Sequence, residues 1–305
     1  MNKALLCMLG LVSLLISRAS FAESSRSQLT LASFNLHTEQ LLEVPKYWYF
    51  RAPAVLQTLK SLDAELIQLQ EVPVTRQQQL RDTMLGFQYI EGPGGLASLV
   101  REDRWSVLRS QTLALDTQVS AHALTLVEKS QSEARPLTVW NIWMDLEANQ
   151  APLLAAQLEQ LLQKHSSHEP DAITLSVKAP DDLRHEKKSL QQILHLFGLR
   201  QADPQSFAIT TNGWWATKWT TQDWHDAVFA KSTWKLAEAQ LIRQKIRGSY
   251  PSTHFPLQTR YLPTGELMAD TTAVIPAPPS FSSESKASFW HKEVYPAGQP
   301  TGHAR

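Results

Sequence analysis

Stretches in which hydrophobic and polar residues alternate are separated, along most of the chain, by segments with helical spacing. The alternating stretches, predicted as strands, are Gln28–Phe34, Glu65–Gln70, Ala97–Val100, Ser106–Leu115, His122–Val127, Leu137–Trp143, Ala172–Ser176, Ala227–Ala230 and Phe255–Tyr261. The predicted helices are Pro53–Leu62, Arg76–Leu85, Gln150–His165 and Leu190–Leu199, with Pro53 in a first helical turn and a turn at 92–95. This order of elements is typical of a layered α/β domain.

The two ends of the chain differ from this pattern. Lys3 precedes an apolar run from Ala4 to Ile16, and Ser20-Phe21-Ala22 offers the small residues that a signal peptidase requires, which predicts a signal peptide at 1–22 and a periplasmic or secreted protein. No other apolar run is long enough to cross a membrane. Pro, Ser, Thr and Gly dominate the end of the chain, so 264–305 is predicted to be a Pro/Ser-rich tail following one domain at 23–263.

Composition and the absence of common motifs limit the kinds of ligand, metal site and enzyme mechanism that the sequence supports. The chain has 29 basic and 29 acidic residues, which argues against tight nucleic-acid binding through bulk charge. Its single cysteine, Cys7, lies in the predicted signal peptide, so a cleaved chain contains no disulfide and no thiolate metal ligand. The sequence also contains no Gly-Xaa-Ser-Xaa-Gly turn, no phosphate-binding Gly-Xaa-Xaa-Xaa-Xaa-Gly-Lys loop and no His-Glu-Xaa-Xaa-His zinc motif.

Four short segments contain the candidate functional residues. They are Ser33-Phe34-Asn35-Leu36, Leu69-Gln70-Glu71-Val72, Asn141-Ile142-Trp143-Met144-Asp145 and Ser252-Thr253-His254-Phe255-Pro256. Asn35 and Glu71 fall at the C-terminal ends of predicted strands, where side chains can converge on one pocket.

In this order the segments resemble the endonuclease/exonuclease/phosphatase superfamily, and the resemblance runs from about Leu29 to Leu262. It implies a deoxyribonuclease-like, four-layer α/β sandwich of two packed, mostly antiparallel β-sheets flanked by helices. Arg51 stands where the family often has an arginine before its first helix. The resemblance implies Asn35 and Glu71 as ligands of a catalytic Mg²⁺, and Asp226 as the carboxylate that orients the catalytic His254.

The resemblance also implies that four functional positions are substituted. Trp143 stands in place of a histidine, and Thr253 replaces a carboxylate. The family's Gly-Asp-Phe-Asn loop falls on Leu175-Ser176-Val177-Lys178, so that Ser176 replaces the aspartate that activates water and Lys178 replaces an asparagine. Loss of general acid or base assistance alone typically costs about 10²- to 10⁴-fold in rate.

These substitutions favour a catalytically impaired pseudoenzyme that acts in binding or scaffolding. We hypothesise that the Lys178 ammonium occupies the metal site beside Glu71 as a built-in cation, which leaves a pocket for a phosphate-containing or anionic ligand. The alternative is a divergent Mg²⁺-dependent phosphodiesterase, nuclease or phosphatase using Asn35, Glu71, Asp226 and His254. That alternative requires a second carboxylate near Glu71, for which the candidates are Asp145, Asp181 and Asp182.

Several residues have structural alternatives. Asn35 and Glu71 can serve as hydrogen-bonding struts, and His254 with Asp226 as a structural pair. His37 is expected at the surface or the pocket rim. Five tryptophans are candidates for a stacking surface or for packing at a sheet edge: Trp214, Trp215, Trp219, Trp224 and Trp234.

Overall fold

The computed structural model describes residues 28–37, 47–113, 119–130, 135–145, 154–165, 169–178, 192–202, 225–246, 248 and 250–264. The predicted signal peptide and the predicted tail beyond Thr264 lie outside these residues. Among the described helices, none is long and apolar enough to cross a membrane.

The described residues form strands and short helices in alternation. The strands are β1 (Leu29–Asn35), β2 (Leu66–Gln70), β3 (Phe87–Glu91), β4 (Ala97–Arg101), β5 (Trp105–Thr112), β6 (Val119–Glu128), β7 (Leu137–Asp145), β8 (Ala172–Lys178), β9 (Leu199–Gln201), β10 (Asp226–Lys231), β11 (Trp234–Leu241) and β12 (Leu257–Pro263). The α-helices are α1 (Trp48–Ser61), α2 (Gln77–Thr83) and α3 (Leu154–Lys164), and residues 192–196 are also helical. Short 3-10 turns occur at Val74–Arg76 and Pro93–Gly95.

The strands form two six-stranded sheets. Sheet A has the order β11-β12-β1-β2-β4-β3, and sheet B has the order β5-β6-β7-β8-β10-β9. The pairs β1–β2 and β7–β8 are parallel, and the other described pairs are antiparallel. The predicted α/β fold of two mostly antiparallel sheets is therefore confirmed.

Two predicted helices differ from the structure. Helix α1 begins at Trp48, so Pro53 lies inside it and not in its first turn, where it removes one backbone hydrogen bond. The helical segment predicted to reach Leu199 ends earlier, because Gly198 adopts a left-handed φ of 71° and its N–H donates to the His195 carbonyl at 2.9 Å. Leu199 then starts β9.

Three hydrophobic clusters hold the layers together. One lies between the sheets and includes Leu31, Leu66 and Val139. A second packs α1 on the outer face of sheet A, where Trp48, Val55 and Leu59 are buried. The third covers the outer face of sheet B and includes side chains of α3 such as Leu158 and Leu161. Burial of each such side chain stabilises the fold by about 1.5–3 kcal/mol.

The inner faces of the central strands change from apolar to polar along their length. In β1 the inward positions read Leu29, Leu31, Ser33 and Asn35. In β7 they start with Leu137 and Val139 and continue with Asn141 and Trp143, and in β8 they read Ala172, Thr174 and Ser176. One end of the sandwich interior is therefore hydrophobic, and the other is lined by buried polar groups.

Asn141 joins the two sheets at this change of polarity. Its side-chain amide donates to the Leu69 and Ala97 carbonyls of sheet A at 2.9 and 3.2 Å. Its Oδ1 accepts from Gln70 Nε2 at 2.7 Å and from Thr174 Oγ1 at 3.1 Å. Asn141 is fully buried, and these four hydrogen bonds match what an amide side chain can make.

Candidate functional site

Asn35 lies at the centre of the polar end of the sandwich. Its Nδ2 donates to Glu71 Oε1 at 3.0 Å and to Ser176 Oγ at 2.9 Å. Its Oδ1 accepts the backbone N–H of His37 at 2.8 Å. All polar atoms of this side chain thus have hydrogen-bond partners within the protein.

Topology explains why these residues meet. Strands β1 and β2 are parallel neighbours, so Asn35 at the end of one and Glu71 just after the other reach the same edge of sheet A. Ser176 projects from the inner face of sheet B, where β8 pairs with β7 and β10 at Trp143 and Asp226. Sheet packing therefore brings Ser176 to Asn35 across a sequence separation of 141 residues.

Two side chains at this edge depend on an unusual backbone. Glu71 has φ 52° and His37 has φ 57°, which are the two positive values among the described non-glycine residues. Left-handed backbone costs an L-residue about 1–2 kcal/mol, and such residues cluster at functional sites. Here the left-handed conformation of Glu71 points its carboxylate toward Asn35. The same conformation at His37 brings its backbone N–H to Asn35 Oδ1.

His254 and Asp226 form a buried pair beside this network. Nδ1–H of His254 donates to Asp226 Oδ2 at 2.7 Å, and the second ring nitrogen, Nε2, takes no part in this bond. Burial by itself would lower the pKa of His254, but the negative charge and hydrogen bond of Asp226, with the charge of Glu71, raise that pKa above its ordinary value. The imidazolium form is therefore favoured.

A side-chain hydrogen bond connects the segment before β12 directly to β1. The Ser252 hydroxyl donates to the Asn35 carbonyl at 2.7 Å and accepts the His254 N–H at 3.2 Å. Arg51 of α1 donates to the Leu36 and His37 carbonyls and, at 3.2 Å, to the Pro251 carbonyl. These bonds hold His254 and the Asn35 strand end in fixed relation.

His225 is a site residue that the sequence patterns did not single out. Its ring lies edge-on to His254 at 6.3 Å between centroids, and Nδ1–H donates to the Val177 carbonyl at 3.0 Å. A histidine directly before the carboxylate residue Asp226 was the available signal. His37 is partly buried.

Trp143 and Thr253 occupy the other substituted positions that the structure describes. Both are half-buried. The indole Nε1–H of Trp143 is buried and finds no acceptor among the described residues. Trp143 therefore offers a hydrogen-bond donor at the polar end, but it has no proton to exchange at ordinary pH.

Several candidates cannot be placed by side chain. Lys178 ends β8, but its side chain lies outside the described part, as do Asp181, Asp182 and four of the five tryptophans. Trp234 is described: it starts β11 and is buried between the sheets rather than exposed for stacking. Asp145 shares the inner face of β7 with Trp143 and lies opposite Lys178 in the strand register.

Among the described residues, Asn35 and Glu71 are the predicted Mg²⁺ ligands, and they lie together at this edge of sheet A. Mg²⁺ is commonly held by one or two carboxylates together with several waters. Asn35 Oδ1 accepts the His37 N–H and Glu71 Oε1 accepts from Asn35, and each of these oxygens has a further lone pair. Within the described ranges no group of three or more His, Cys, Asp or Glu side chains is arranged to hold a metal ion.

Comparison with solved structures identifies the fold, whereas no protein-family profile and no curated protein sequence matches the chain. An endonuclease/exonuclease/phosphatase family protein from Bacteroides thetaiotaomicron aligns with a TM-score of 0.62 at 14% identity over 78% of this chain and 98% of its own. A mannosyl-6-phosphatase of the same species gives 0.61 at 14% identity over 77% and 99%. Danio rerio TDP2 complexed with a single-strand DNA product gives 0.59 at 16% identity over 77% and 99%. The chain therefore has the fold of the endonuclease/exonuclease/phosphatase superfamily.

Proposed function

We propose that this protein binds a phosphate-containing or other anionic ligand at the polar end of its sandwich and has lost metal-dependent hydrolysis. The observation that carries the proposal is that a serine hydroxyl, that of Ser176, faces Asn35 across the two sheets, at 2.9 Å from Asn35 Nδ2. A serine hydroxyl is no base at neutral pH, so Ser176 cannot activate a water as an aspartate at this position would.

The remaining groups suit binding better than turnover. The imidazolium form of His254 supplies a positive charge, and the indole N–H of Trp143 supplies a donor. Lys178 stands two residues after Ser176 in β8, and an ammonium in the site would place a positive charge beside the carboxylates of Glu71 and Asp226. Solved neighbours include a phosphatase and a protein complexed with a DNA product, both of which handle phosphate groups.

Restoring the family residues tests this proposal. Calorimetry with Mg²⁺ and Mn²⁺, beside hydrolysis of bis(p-nitrophenyl) phosphate, is run on the natural chain and on a variant with Trp143→His, Ser176→Asp, Lys178→Asn and Thr253→Asp. We expect no metal binding and no turnover by the natural chain, and gain of both by the variant. Inorganic phosphate is expected to shift the NMR signals of His254 in the natural chain.

A divergent hydrolase is the second candidate. It is favoured by the 2.7 Å pair of His254 and Asp226 and by the strained backbone that aims Glu71 into the site. Metal-dependent turnover by the natural chain, abolished by both Glu71→Ala and His254→Asn, would establish this candidate and overturn the pseudoenzyme proposal.

Export is proposed on the N-terminal sequence. Lys3, the apolar run from Ala4 and the small residues Ser20 and Ala22 support cleavage after Ala22. Intact-mass measurement of protein made from the full chain in a secreting bacterial host should show loss of the first 22 residues. Recovery of the uncleaved mass from the cytoplasm would contradict export.

A further inference from the structure

A serine and a histidine outside the site of Glu71 and His254 form a hydrogen-bonded pair in sheet B. Ser110 Oγ of β5 lies 2.8 Å from His122 Nε2 of β6. Ser110 is exposed, whereas His122 is only 1% exposed. The pair therefore joins an accessible hydroxyl to a buried imidazole, an arrangement in which a histidine can activate a serine as a nucleophile.

Strand pairing places both side chains on the inner face of sheet B. His122 lies opposite Asn141 in the register of β6 and β7, and the Asn141 side chain reaches sheet A. Ser110 lies opposite Leu124, which belongs to the cluster between the sheets and stands two residues after His122. A β-bulge at 107–109 directly precedes Ser110, and such bulges often re-aim side chains beside active sites.

The glycine turn at 92–95 packs against the imidazole. A Cβ atom at Gly92 would lie 2.9 Å from both Cγ and Nδ1 of His122. Gly92 has φ −118°, so the space beside the ring, and not the backbone conformation, requires glycine here. His122 Nδ1 is buried and finds no partner among the residues that the structure describes. Packing against the turn therefore orients this ring, as a carboxylate does in a Ser-His-Asp triad.

His122 is neutral over the ordinary pH range. Burial lowers its pKa to about 4, so the ring is able to accept a proton at neutral pH. In the neutral ring with its proton on Nδ1, Nε2 is the acceptor that faces the Ser110 hydroxyl. Such a ring is a weaker base than an ordinary histidine, but it remains available in more acidic solution.

Apolar side chains lie on the same side of the sandwich as the pair. Strands β3 and β5 are edges of sheets A and B, and the strand orders put them on one side because β2 faces β7. Ile90 of β3 and Val107 of β5 are partly buried and pack against the cluster between the sheets. A short aliphatic chain placed beside Ser110 would be stabilised by contact with such side chains.

We propose that Ser110, activated by His122, is the nucleophile of a second site that cleaves esters of short aliphatic acids. Ser110 Oγ attacks the carbonyl carbon while its proton passes to His122 Nε2. The bond to the leaving alcohol then breaks, and the alcohol takes that proton. Water cleaves the acyl-serine by the same proton transfers, which restores Ser110 and releases the acid.

Covalent labelling of the full chain with diisopropyl fluorophosphate tests the proposal. The reagent joins its phosphorus to a reactive serine oxygen with loss of fluoride, and intact mass with peptide mapping locates the adduct. We expect one adduct, on Ser110, together with release of p-nitrophenol from p-nitrophenyl butyrate. Ser110→Ala should abolish both reactions, and His122→Gln should slow both about 10²-fold, as expected for loss of a general base.

Two further measurements test the part given to His122. Gly92→Ala should slow labelling because the added methyl group displaces the ring, although both reacting side chains remain. Labelling of the natural chain should keep its rate from neutral pH down to about pH 5.5, since His122 stays neutral there. Unaltered labelling in Gly92→Ala, or a loss of rate centred near pH 6.5, would overturn its assignment as the base.

Matched controls separate this reaction from general reactivity. Ser232→Ala removes another exposed serine, and His195→Gln removes an exposed histidine, so both variants should react like the natural chain. No adduct, an adduct on a serine other than Ser110, or equal rates for the natural chain and His122→Gln would each overturn the proposal. The adduct reports Ser110 directly, so the outcome is independent of the ligand proposed for Glu71 and His254.

Discussion

Glu71 shows how one residue can combine backbone strain with a placed charge. Its left-handed φ of 52° aims a carboxylate at Asn35, in a conformation that glycine adopts far more easily. Substitution can therefore separate the effect of losing the carboxylate on stability from the effect of relieving the backbone strain.

We expect Glu71→Gly to be more stable than Glu71→Ala by about 1 kcal/mol, because both remove the carboxylate but glycine alone relieves the strain. Urea unfolding of the two variants measures the difference. Gln78 in α2 is an exposed helical control, at which alanine should be more stable than glycine by about 1 kcal/mol. Equal stability of the two Glu71 variants would show that the positive φ carries no strain.

His254 depends on its neighbours for its charge. Because burial opposes the imidazolium and Asp226 favours it, Asp226→Asn should move the pKa of His254 from above to below its ordinary value of about 6.5. Glu71→Gln should lower the same pKa by a smaller amount. NMR titration of the His254 ring nitrogens measures both shifts, and a pKa that stays raised in Asp226→Asn would contradict the assignment of the pair.

At the scale of elements, the strand ends of β1, β2, β7 and β8 create the site by changing from apolar to polar on one face. Asn141 stands at this change and is the point at which the sheets exchange side-chain hydrogen bonds. Its removal would leave polar partners from both sheets without bonds.

Asn141→Leu should lower the free energy of unfolding by about 3 kcal/mol, since it leaves the Leu69 and Ala97 carbonyls and the Gln70 amide unsatisfied in the interior. Thr174→Val removes a single bond of this network and should cost about 1 kcal/mol. Chemical denaturation of both variants provides the comparison. Similar losses for the two would show that Asn141 has no special part in joining the sheets.

Strands were predicted more accurately where the alternation of apolar and polar residues agrees with the β-propensity of those residues. Strand β11 was missed because its sequence, Trp-Lys-Leu-Ala-Glu-Ala-Gln-Leu, is rich in helix-forming residues, and pairing with β12 overrides that preference. The start of α1 was missed for the opposite reason, since Trp48, Tyr49 and Phe50 favour strands. Asn35 and Glu71 were predicted at strand ends, but the contact of Asn35 with Ser176 depends on sheet packing that no local pattern contains.

For the whole molecule, two buried histidines act on stability in opposite directions. Burial lowers the pKa of His122 to about 4, and its Nε2 lies 2.8 Å from the Ser110 hydroxyl. The pKa of His254 is raised. The unfolded chain has both near 6.5.

We expect these two residues to place a stability maximum near pH 6.5. Below it, the unfolded state binds the His122 proton more readily, so stability falls toward pH 4 by about 3 kcal/mol, at about 1.4 kcal/mol for each pH unit. Above it, the folded state retains the His254 proton, so that contribution is lost as pH rises through the raised pKa. Urea unfolding across pH 4 to 9 measures the profile.

Substitution assigns each limb of this profile. His122→Gln should flatten the acid limb and leave the alkaline one, and His254→Gln should do the reverse. A His122→Gln profile that retains the full acid slope would show that other groups cause it.

The change from apolar to polar inner faces also implies that the molecule does not open uniformly. Backbone amides near Leu31, Leu66 and Val139 are enclosed by hydrophobic side chains and should exchange with deuterium only on global unfolding. Amides near Asn35 and Ser176, held by polar contacts at the sandwich end, should exchange through local fluctuations with a lower free energy, which native-state exchange in low denaturant resolves. An interior of this kind confines the lowest-energy opening motions to its polar end, while the hydrophobic half preserves the fold.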